Sequence, residues 1–441
     1  MAARIVVLGG GPAGAAAAVG LARLGESVVL VGEPRRFAAV EGGSARVVDA
    51  LRRLGFSGAL SAFAPPSPRR AMWSGVRAEV NSESLVDRER FDRALLDDVE
   101  RLGVTVVRAR IAEVASAPGG HVVRFEEGGA QRVLDADFIV EARGRAAPAA
   151  GLPRVRGVET VSLLQYWRGP ARGAGSAVQS CEDGWAWMAA LADGRRYLQL
   201  TVDVDSAALP PKKELAAFCA ARFLDLDAAV PFVRDAEPVG EPHARASTPV
   251  LSEVVAGPNW IRVGDAAMAV DPLSGNGIFQ ALSSALQAPA VVATLLHEPA
   301  RAELAVRFHQ QRIEHLFYRF ARIGRDFYEQ ETRWASHPFW RARRGWPDAE
   351  ALHATVSPES LRVVRGPVVR DGRIVEADLV VTPDQPLGVW HLDGIALAPL
   401  VRALQRTPER AVEDVMREQG GLDGPRAAKI AAWMRDQGWV R

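Results

Sequence analysis

Lysine is nearly absent from this chain of 441 residues, although arginine is abundant. Lysine and arginine together number 54 against 53 aspartates and glutamates, yet the only lysines are Lys212, Lys213 and Lys429. The net charge of +1 leaves no basic excess, so neither nucleic acid nor an anionic membrane is expected as a partner. Chemistry that needs a lysine amine in the first 211 residues is excluded as well.

Cysteine and histidine, the usual ligands of transition metals, are also scarce. The two cysteines, Cys181 and Cys219, have neither metal-ligand spacing nor a disulfide framework, so both are expected to be buried free thiols. The eight histidines do not cluster, and His309 and His315 stand six apart on a predicted helix, so they do not share a face. We therefore predict no metal site.

Apolar runs of the length of a membrane span are missing too. The apolar run near the N-terminus is too short for a signal sequence and leads into a glycine motif, so we predict a cytoplasmic protein. With 48% hydrophobic and 24% charged residues, the chain is long enough for a large core and two or three domains.

A glycine-rich turn opens the part of the chain that does carry a signal. Residues 5–8 predict a buried parallel strand, residues 15–24 a helix, and the turn between them reads GxGxxG. In such a turn Gly9 permits the sharp bend, Gly11 lets a pyrophosphate approach the backbone, and Gly14 lets the helix pack on the strand. This order of strand, turn and helix predicts a dinucleotide site.

Neighbouring residues support this prediction. The helix N-terminus at Pro12 and Ala13 directs free N–H groups and a partial positive charge towards the phosphates. A second strand is predicted at 27–31, and an acidic residue at the end of that strand usually binds the ribose. Gly32 takes the usual position and Glu33 follows it, so Glu33 either binds the ribose or points away.

Three further stretches belong to the same pattern. Glu41 opens a glycine loop before an amphipathic helix, and Arg88 begins a charged stretch in a helix predicted at 85–99. Later, Asp265 ends a predicted strand, and residues 271–277, DPLSGNG, open another helix. Arg88 is placed either to reach a ligand oxygen or to form a surface ion pair.

The order of the predicted strands and helices indicates an α/β fold in which a Rossmann-like domain carries an inserted antiparallel-sheet substrate domain. Short alternating strands at 185–191 and 197–202 flank a hairpin turn at Asp193-Gly194. A second hairpin, around Asp371-Gly372, precedes three short helices, which together predict a small α+β winged-helix-like C-terminal domain. The predicted boundaries are 1–154 and 254–345 for the first domain, 155–253 for the insertion, and 346–441 for a linker and the last domain.

Taken in order, these stretches resemble the single-component FAD-dependent aromatic monooxygenases and their tryptophan-halogenase-like relatives, over residues 1–345. The resemblance implies an enzyme that binds FAD, with Asp265 on the ribityl hydroxyls and the late loop at the flavin ring. It implies that the FAD-binding residues are Gly9, Gly11, Pro12, Ala13, Gly14, Glu33, Glu41, Arg88, Asp265, Pro272, Gly275, Asn276 and Gly277. The backbone at Pro272 and Asn276 is where we expect the groups that shape the oxygen site.

The halogenase-like branch is the nearest match, since Gly184-Trp185-Ala186-Trp187 resembles its WxWxIP signature. Two departures bear on chemistry. Halogenases of tryptophan use a lysine ahead of the second sheet, where this chain offers only Arg69 and Arg70, and arginine is a poor nucleophile. They also carry a glutamate where this chain has Ser274. Oxygen insertion is therefore expected rather than halogenation.

The expected substrate is aromatic. Trp73, Trp185 and Trp187 either line its pocket, near Arg69, or belong to the core. Residues 327–340 resemble a segment of flavoproteins that mature quinone cofactors, which implies hydroxylation of a tryptophan in a peptide or protein during tryptophylquinone biogenesis. The C-terminal domain either helps to hold that partner or only covers apolar surface of the main domain.

Two other functions stay open at this point: a hydroxylase of small phenols or indoles, and a flavin-binding assembly factor without turnover. No second strand–GxGxxG–helix unit occurs, so NAD(P)H is expected to bind only transiently, or a separate reductase supplies the electrons. The oligomeric state is not predicted.

Overall fold

The computed structural model describes residues 4–35, 38–117, 119–148 and 151–441. Strands and helices alternate at the start, as the apolar patterns predict. The first strands are β1 Arg4–Leu8, β2 Ser27–Val31, β3 Val40–Gly43, β4 Ser67–Trp73, β5 Val76–Asp87, β6 Thr105–Val107, β7 Arg110–Ala117, β8 Gly120–Glu127, β9 Ala130–Ala136 and β10 Phe138–Glu141. The first helices are α1 Pro12–Arg23, α2 Ala45–Leu54, α3 Ser57–Leu60 and α4 Arg88–Arg101.

Strands dominate the middle of the chain, and helices dominate the third quarter. The next strands are β11 Arg154–Arg156, β12 Thr160–Arg168, β13 Gly175–Cys181, β14 Gly184–Ala190, β15 Arg195–Asp203, β16 Glu237–Ala246, β17 Val250–Ser252, β18 Ala256–Gly257, β19 Trp260–Arg262 and β20 Met268–Ala269. The next helices are α5 Leu215–Leu224, α6 Val230–Val233, α7 Gly277–Ala285, α8 Ala288–His297, α9 Ala302–Glu329 and α10 Pro338–Arg344. The chain closes with β21 Arg362–Arg370, β22 Arg373–Val381, β23 His391–Leu392, β24 Ile395–Ala396, α11 Leu397–Arg406, α12 Val412–Gly420 and α13 Gly424–Asp436.

A six-stranded sheet in the order β18-β19-β10-β1-β2-β6 forms the Rossmann-like domain, and its strands are parallel except for β18. Alternate residues of β1 reach different cores: Ile5 and Val7 face α1, whereas Val6 and Leu8 face the sheet β7-β8-β9. Burial on both faces explains why β1 is apolar throughout. The alanines of α1 at 13 and 15–18 are buried, so this helix lies close to the sheet.

Contrary to the expectation that no apolar run reaches the length of a membrane span, residues Gly277–His297, in α7 and α8, are long and apolar enough to cross a membrane by length and composition, but 78% of an 18-residue window within them is buried inside the protein. Both helices belong to the core beside α1. This stretch is therefore explained as the interior of the Rossmann-like domain.

An eight-stranded sheet in the order β16-β12-β15-β14-β13-β4-β5-β3 forms the second layer. Its pairs are antiparallel except β4 with β13. One face is covered by α5 and α6 around Cys219 and Phe223. The sheet takes β3, β4 and β5 from the first part of the chain, so it extends beyond the predicted insertion at 155–253.

The helix predicted at 85–99 begins later than expected, at Arg88. The carboxylate of Asp87 accepts a hydrogen bond from the Glu89 N–H at 3.0 Å and caps the helix. Leu85 and Val86 precede the cap and stay in β5. An N-capping aspartate sets this boundary, since its side chain satisfies a free N–H of the first turn.

The C-terminal region is the hairpin β21–β22 followed by α11, α12 and α13, as the sequence predicts. The three helices pack around their own core, with Leu361 and Val380 at its edge. The hairpin also reaches the main core: Ile374 is fully buried there, and its N–H donates to Thr294 Oγ1 at 2.8 Å.

Candidate active site

The glycines of the turn before α1 have two different roles. Gly9 has φ +113°, and a Cβ on it would lie 2.5 Å from the Ala142 carbonyl oxygen. A Cβ on Gly14 would lie 2.0 Å from the Gly9 carbonyl oxygen. At Gly11, the N-cap of α1, no described atom lies within 4 Å of the Cβ position. Gly9 and Gly14 are thus required by the fold, and Gly11 keeps open a cradle at the helix N-terminus.

The late Gly-Asp motif lies against this turn. Gly264 has φ +60°, and its Cβ would lie 2.7 Å from Cβ of Ala13, at the start of α1. Asp265 faces Arg145, whose Nε lies 3.7 Å from the carboxylate. Burial raises the pKa of Asp265, and the charge of Arg145 opposes this. The fold therefore brings together two motifs that are far apart in sequence.

Glu41 and Arg88 form a half-buried to buried ion cluster rather than a surface pair. Arg88 Nη1 lies 2.7 Å from Glu41, and its Nη2 lies 2.7 Å from Asp92. Burial raises the pKa of Glu41, but Arg88 and Arg35 outweigh it, so the pKa lies below its usual value. Burial lowers the pKa of Arg88, but the carboxylates of Glu41 and Asp92 outweigh this effect and raise the pKa above its usual value. Arg88 therefore positions Glu41 and gives its donors to these carboxylates.

Asp271, at the start of the late loop, is buried and holds the loop to two other elements. Its carboxylate accepts a hydrogen bond from the Leu273 N–H at 2.9 Å and another from the Tyr328 hydroxyl at 3.1 Å. Trp185 Nε1 in turn donates to the Tyr328 hydroxyl at 3.2 Å. Burial raises the pKa of Asp271 and that of Tyr328. Asp271 before a proline is the only local signal of these hydrogen bonds between Trp185 and the loop, which sequence reasoning missed.

The rest of the late loop turns its backbone towards open space. Gly275 has φ +63°, a conformation that favours glycine, and Asn276 precedes the first turn of α7. The Asn276 side chain donates to the Ser274 carbonyl at 2.6 Å and is used inside the loop. At Gly277 no described atom lies within 4 Å of the Cβ position. The N-terminal N–H groups of α7 are thus available to a ligand.

A cleft of about 230 Å³ lies between the late loop and the eight-stranded sheet. It brings together these predicted residues: Glu41, Arg69, Trp185, Trp187, Pro272, Gly275 and Gly277. It also contains polar residues that sequence reasoning missed: Arg35, Glu83, Ser162, Tyr197, Gln199, Arg245 and Ser247. These come from strands and loops that are far apart in sequence, and they carry no shared motif.

The other predicted residues do not line this cleft: the glycine turn at 9–14, Arg88, Asp265 and Asn276 lie as described above, and Glu33 and Trp73 lie apart from both. Glu33 is exposed in the turn after β2. Trp73 packs edge to face on Trp340 with ring centroids 5.5 Å apart, and its Nε1 donates to the Phe327 carbonyl at 3.1 Å. Trp73 therefore belongs to the aromatic core behind the cleft, because the strand that carries Arg69 has moved past the cleft by residue 73.

The cleft is rich in arginine. Arg69 Nε is buried and has no hydrogen-bond partner among the described residues, and its Nη1 lies 3.7 Å from the Cβ position of Gly275. Burial, aided by the charge of Arg35, lowers the pKa of Arg245 to about 10. A guanidinium group offers five N–H donors and no acceptor, so the cleft suits a ligand with oxygen acceptors.

Residues 66–360 match the family model of the tryptophan halogenases. The chain belongs to the tryptophan halogenase family. This match confirms the predicted family.

Among solved structures, peptidyl tryptophan dihydroxylase QhpG, which is essential for tryptophylquinone cofactor biogenesis, is 54% identical to this chain with a TM-score of 0.86, and the match covers 100% of both chains. The flavin-dependent halogenase CmlS shares the fold, with a TM-score of 0.77 and 18% identity over 100% of this chain and 96% of its own. Tryptophan 2-halogenase from Chondromyces crocatus is 27% identical over 372 residues, 77% of this chain and 70% of that protein. The α/β fold with an FAD-binding domain is confirmed.

Flavin-dependent members of this fold bind FAD. The geometry of this chain fits the same cofactor, since Gly11 leaves a cradle that a Cβ would fill and α1 presents its N-terminus there. In the described ranges no group of three or more His, Cys, Asp and Glu residues is placed to hold a metal ion. Cys181 and Cys219 are buried free thiols.

Proposed function

We propose that this protein is an FAD-dependent monooxygenase that hydroxylates a tryptophan within a peptide or protein substrate during tryptophylquinone biogenesis. The observation that carries the proposal is the 54% identity with QhpG along the whole chain. Identity at this level over the full length reaches the cleft and the C-terminal region as well as the FAD-binding turn.

The glycine turn, the Gly-Asp motif and the cleft would each hold a different part of FAD. The N-terminus of α1 at Gly11 would hold the pyrophosphate, Asp265 the ribityl chain, and the N–H groups of 275–277 the flavin ring. FAD, when bound and reduced, supplies the electrons that activate oxygen. Trp185, fixed by Tyr328, forms an apolar wall that orients an aromatic ring and excludes water.

Halogenation is disfavoured by the same cleft. Arg69 stands there with a guanidinium group, which is not a nucleophile at neutral pH, and the late loop carries Ser274 where halogenases have a glutamate. Oxygen insertion needs neither a lysine nor that glutamate.

Electrons come, in this proposal, from NAD(P)H that binds only during reduction, because the sequence holds one GxGxxG unit.

The C-terminal unit, 358–441, is proposed to help hold the protein substrate. Its outer surface includes Arg417 and Arg426, both exposed. The double variant with Arg417→Glu and Arg426→Glu should slow the reaction of a protein substrate and leave that of a free indole unchanged. If the rate of the variant relative to the parent is the same for both substrates, a docking role is contradicted.

The test of the function is a mass measurement. The FAD-loaded protein is incubated with NADH or NADPH, oxygen and a tryptophan-containing peptide encoded beside its gene, and the peptide mass is followed. Addition of one or two oxygen atoms to tryptophan is expected, and samples without NAD(P)H serve as controls. An FAD-loaded protein that consumes NAD(P)H yet leaves every tryptophan peptide unchanged would refute the proposal.

A further inference from the structure

The hairpin β4–β5 borders the cleft and leaves one edge of the large sheet open. On one side β5 pairs with β4 from Val76 to Glu83, but β3 covers its other side only from Ser84 to Asp87. Within the described ranges no strand pairs with the outer side of residues 76–83. Residues 76–82 are all exposed. This stretch of strand thus ends the sheet with backbone donors and acceptors facing solvent.

The register of the hairpin shows which backbone groups are open. Ser74 and Gly75 form a two-residue turn with φ values of 51° and 79°, so Trp73 and Val76 are a hydrogen-bonded pair. Because backbone groups alternate between the two sides of an antiparallel strand, those of Arg77 and Glu79 point to the open side.

Side chains along this edge do not cover it. Val76 and Val80 are 65% and 53% exposed. The register shifts between Arg69 and Arg70, so that Val80 forms a bulge. A bulge next to an active site re-aims the following side chains. Beyond it, Glu83 returns to the cleft, where Ser176 donates a hydrogen bond to its carboxylate.

The open edge runs directly into the cleft. Glu83 of β5 and Gly42 of β3 both line the cleft, so a strand added in line with β3 would begin at the cleft rim. The position opposite Glu83 is taken by Ser44, which follows Gly43 in an extended conformation, so the free edge begins at Ser82. A residue paired with Asn81 would project to the same face of the sheet as Asn81 and Glu83, which is the cleft side. A tryptophan at that position would thus point towards the cleft.

We infer that an extended segment of the peptide substrate binds along β5 from Val76 to Ser82 as an added strand and presents its tryptophan to the cleft. The inference rests on the proposed function for the identity of the peptide. Main-chain hydrogen bonds supply the affinity in this mode of recognition, and side-chain pockets supply the specificity. The charges of Arg77 and Glu79 on the edge hinder pairing between copies of the protein.

Proline substitution separates the backbone from the side chain. Glu79→Pro removes the N–H that an added strand would use, and Glu79→Ala removes the same side chain but keeps the N–H. Proline is tolerated on an edge strand when its nitrogen faces solvent. We expect Glu79→Pro to bind the peptide about tenfold more weakly than Glu79→Ala. If Glu79→Pro fails to retain FAD, the pair Arg77→Pro and Arg77→Ala gives the same comparison.

The experiment follows hydrogen exchange in the full-length, FAD-loaded protein. The probe is acetyl-Thr-Val-Thr-Trp-Thr-Val-Thr-amide, and the control is the same peptide with both valines replaced by proline, which cannot pair as a strand. Slower exchange in residues 76–83 with the probe alone, together with the weaker binding of the proline variant, is the expected result. Unchanged exchange there, or equal binding by the proline and alanine variants, overturns the inference.

Mass spectra of the same samples test the proposed function separately. Oxygen added to the probe without protection of 76–83 would leave the function standing and remove the docking strand. Protection of residues 76–83 without added oxygen would support the docking strand and count against the proposed function.

Discussion

The hydrogen that Gly11 carries in place of a Cβ faces open space at the N-terminus of α1. Gly11→Val should leave the FAD-free protein folded, because the new side chain meets no described atom, but it should abolish FAD binding by filling the cradle. Flavin absorbance after reconstitution and the melting temperature of the FAD-free protein measure the two effects. Gly173→Val is the matched control, since Gly173 also has free space around its Cβ position but lies outside the turn. A variant that binds FAD as tightly as the parent would disprove the role of Gly11.

The hydroxyl of Tyr328 is the centre of the chain from Trp185 to Asp271. Tyr328→Phe leaves a buried carboxylate and a buried indole N–H each with one partner fewer, so we expect a loss of about 1–3 kcal/mol in the free energy of unfolding. Tyr318→Phe on the same helix is the control, because the Tyr318 hydroxyl makes no hydrogen bond to the described part of the chain. Denaturant titration compares the two; similar losses would mean that the chain adds nothing to stability.

Arg69 and Ser274 stand where halogenases have a lysine and a glutamate, so we predict that this protein does not halogenate. The parent protein, given reduced flavin, oxygen, bromide or chloride, and an indole peptide, should yield no halogenated product, because no lysine amine lies among the residues lining the described cleft. Mass spectrometry would reveal the isotope pattern of bromine or chlorine. A single halogenated product would contradict the oxygenase assignment.

At the scale of elements, the hairpin β21–β22 joins two cores. Ile374 is fully buried in the main core, whereas Val364 on the partner strand is 39% exposed. Ile374→Ala should therefore lower the free energy of unfolding by about 2–5 kcal/mol, and Val364→Ala by less than about 0.5 kcal/mol. Denaturant titration followed by tryptophan fluorescence measures both. Equal effects would show that the hairpin does not support the main core.

Local sequence patterns predicted those elements whose structure does not depend on distant segments of the chain. The run of β2, the hairpin turn at Asp371-Gly372 and the three final helices follow from periodicity and turn residues alone. β4 escaped prediction because Pro68 and the prolines before it indicate a loop. In the fold, β13 pairs with β4 only from Arg69 onward, so Pro68 sits where its missing N–H costs no ladder bond on that side.

The candidate site divides along the same line. Gly11, Asp265 and Gly275 were found because each belongs to a contiguous motif with its own turn chemistry. Glu83 and Arg245 were not, because they reach the cleft through the strand order of an eight-stranded sheet. That order is set by packing between distant segments, which no local pattern encodes.

For the molecule as a whole, acid stability should depend on His309. It is buried, its Nε2 lies 2.8 Å from the Arg262 carbonyl oxygen, and burial lowers its pKa to about 4. The unfolded chain takes up a proton near pH 6.5 and the folded protein only near pH 4, so stability is complete above the first value and falls as the pH drops between the two. The loss amounts to about 3 kcal/mol.

The measurement is the free energy of unfolding at a series of pH values between about 7 and about 4. His309→Gln keeps an N–H that can reach the Arg262 carbonyl but cannot titrate, so its profile should be flatter over this window. Parallel profiles for the parent and the variant would assign the acid sensitivity to other groups.

The buried place of Ile374 also has a consequence for the order in which the protein is made. The ribosome releases β1 and the FAD-binding turn first, but β10 and β19, which pair in the same sheet, emerge much later. The core beneath α8 is completed only when the hairpin that carries Ile374 arrives. Domains usually fold as units during synthesis, from the N-terminus onward. Here we expect nascent chains arrested before residue 374 to remain protease-sensitive and poor in FAD, and chains arrested well after β22 to become resistant.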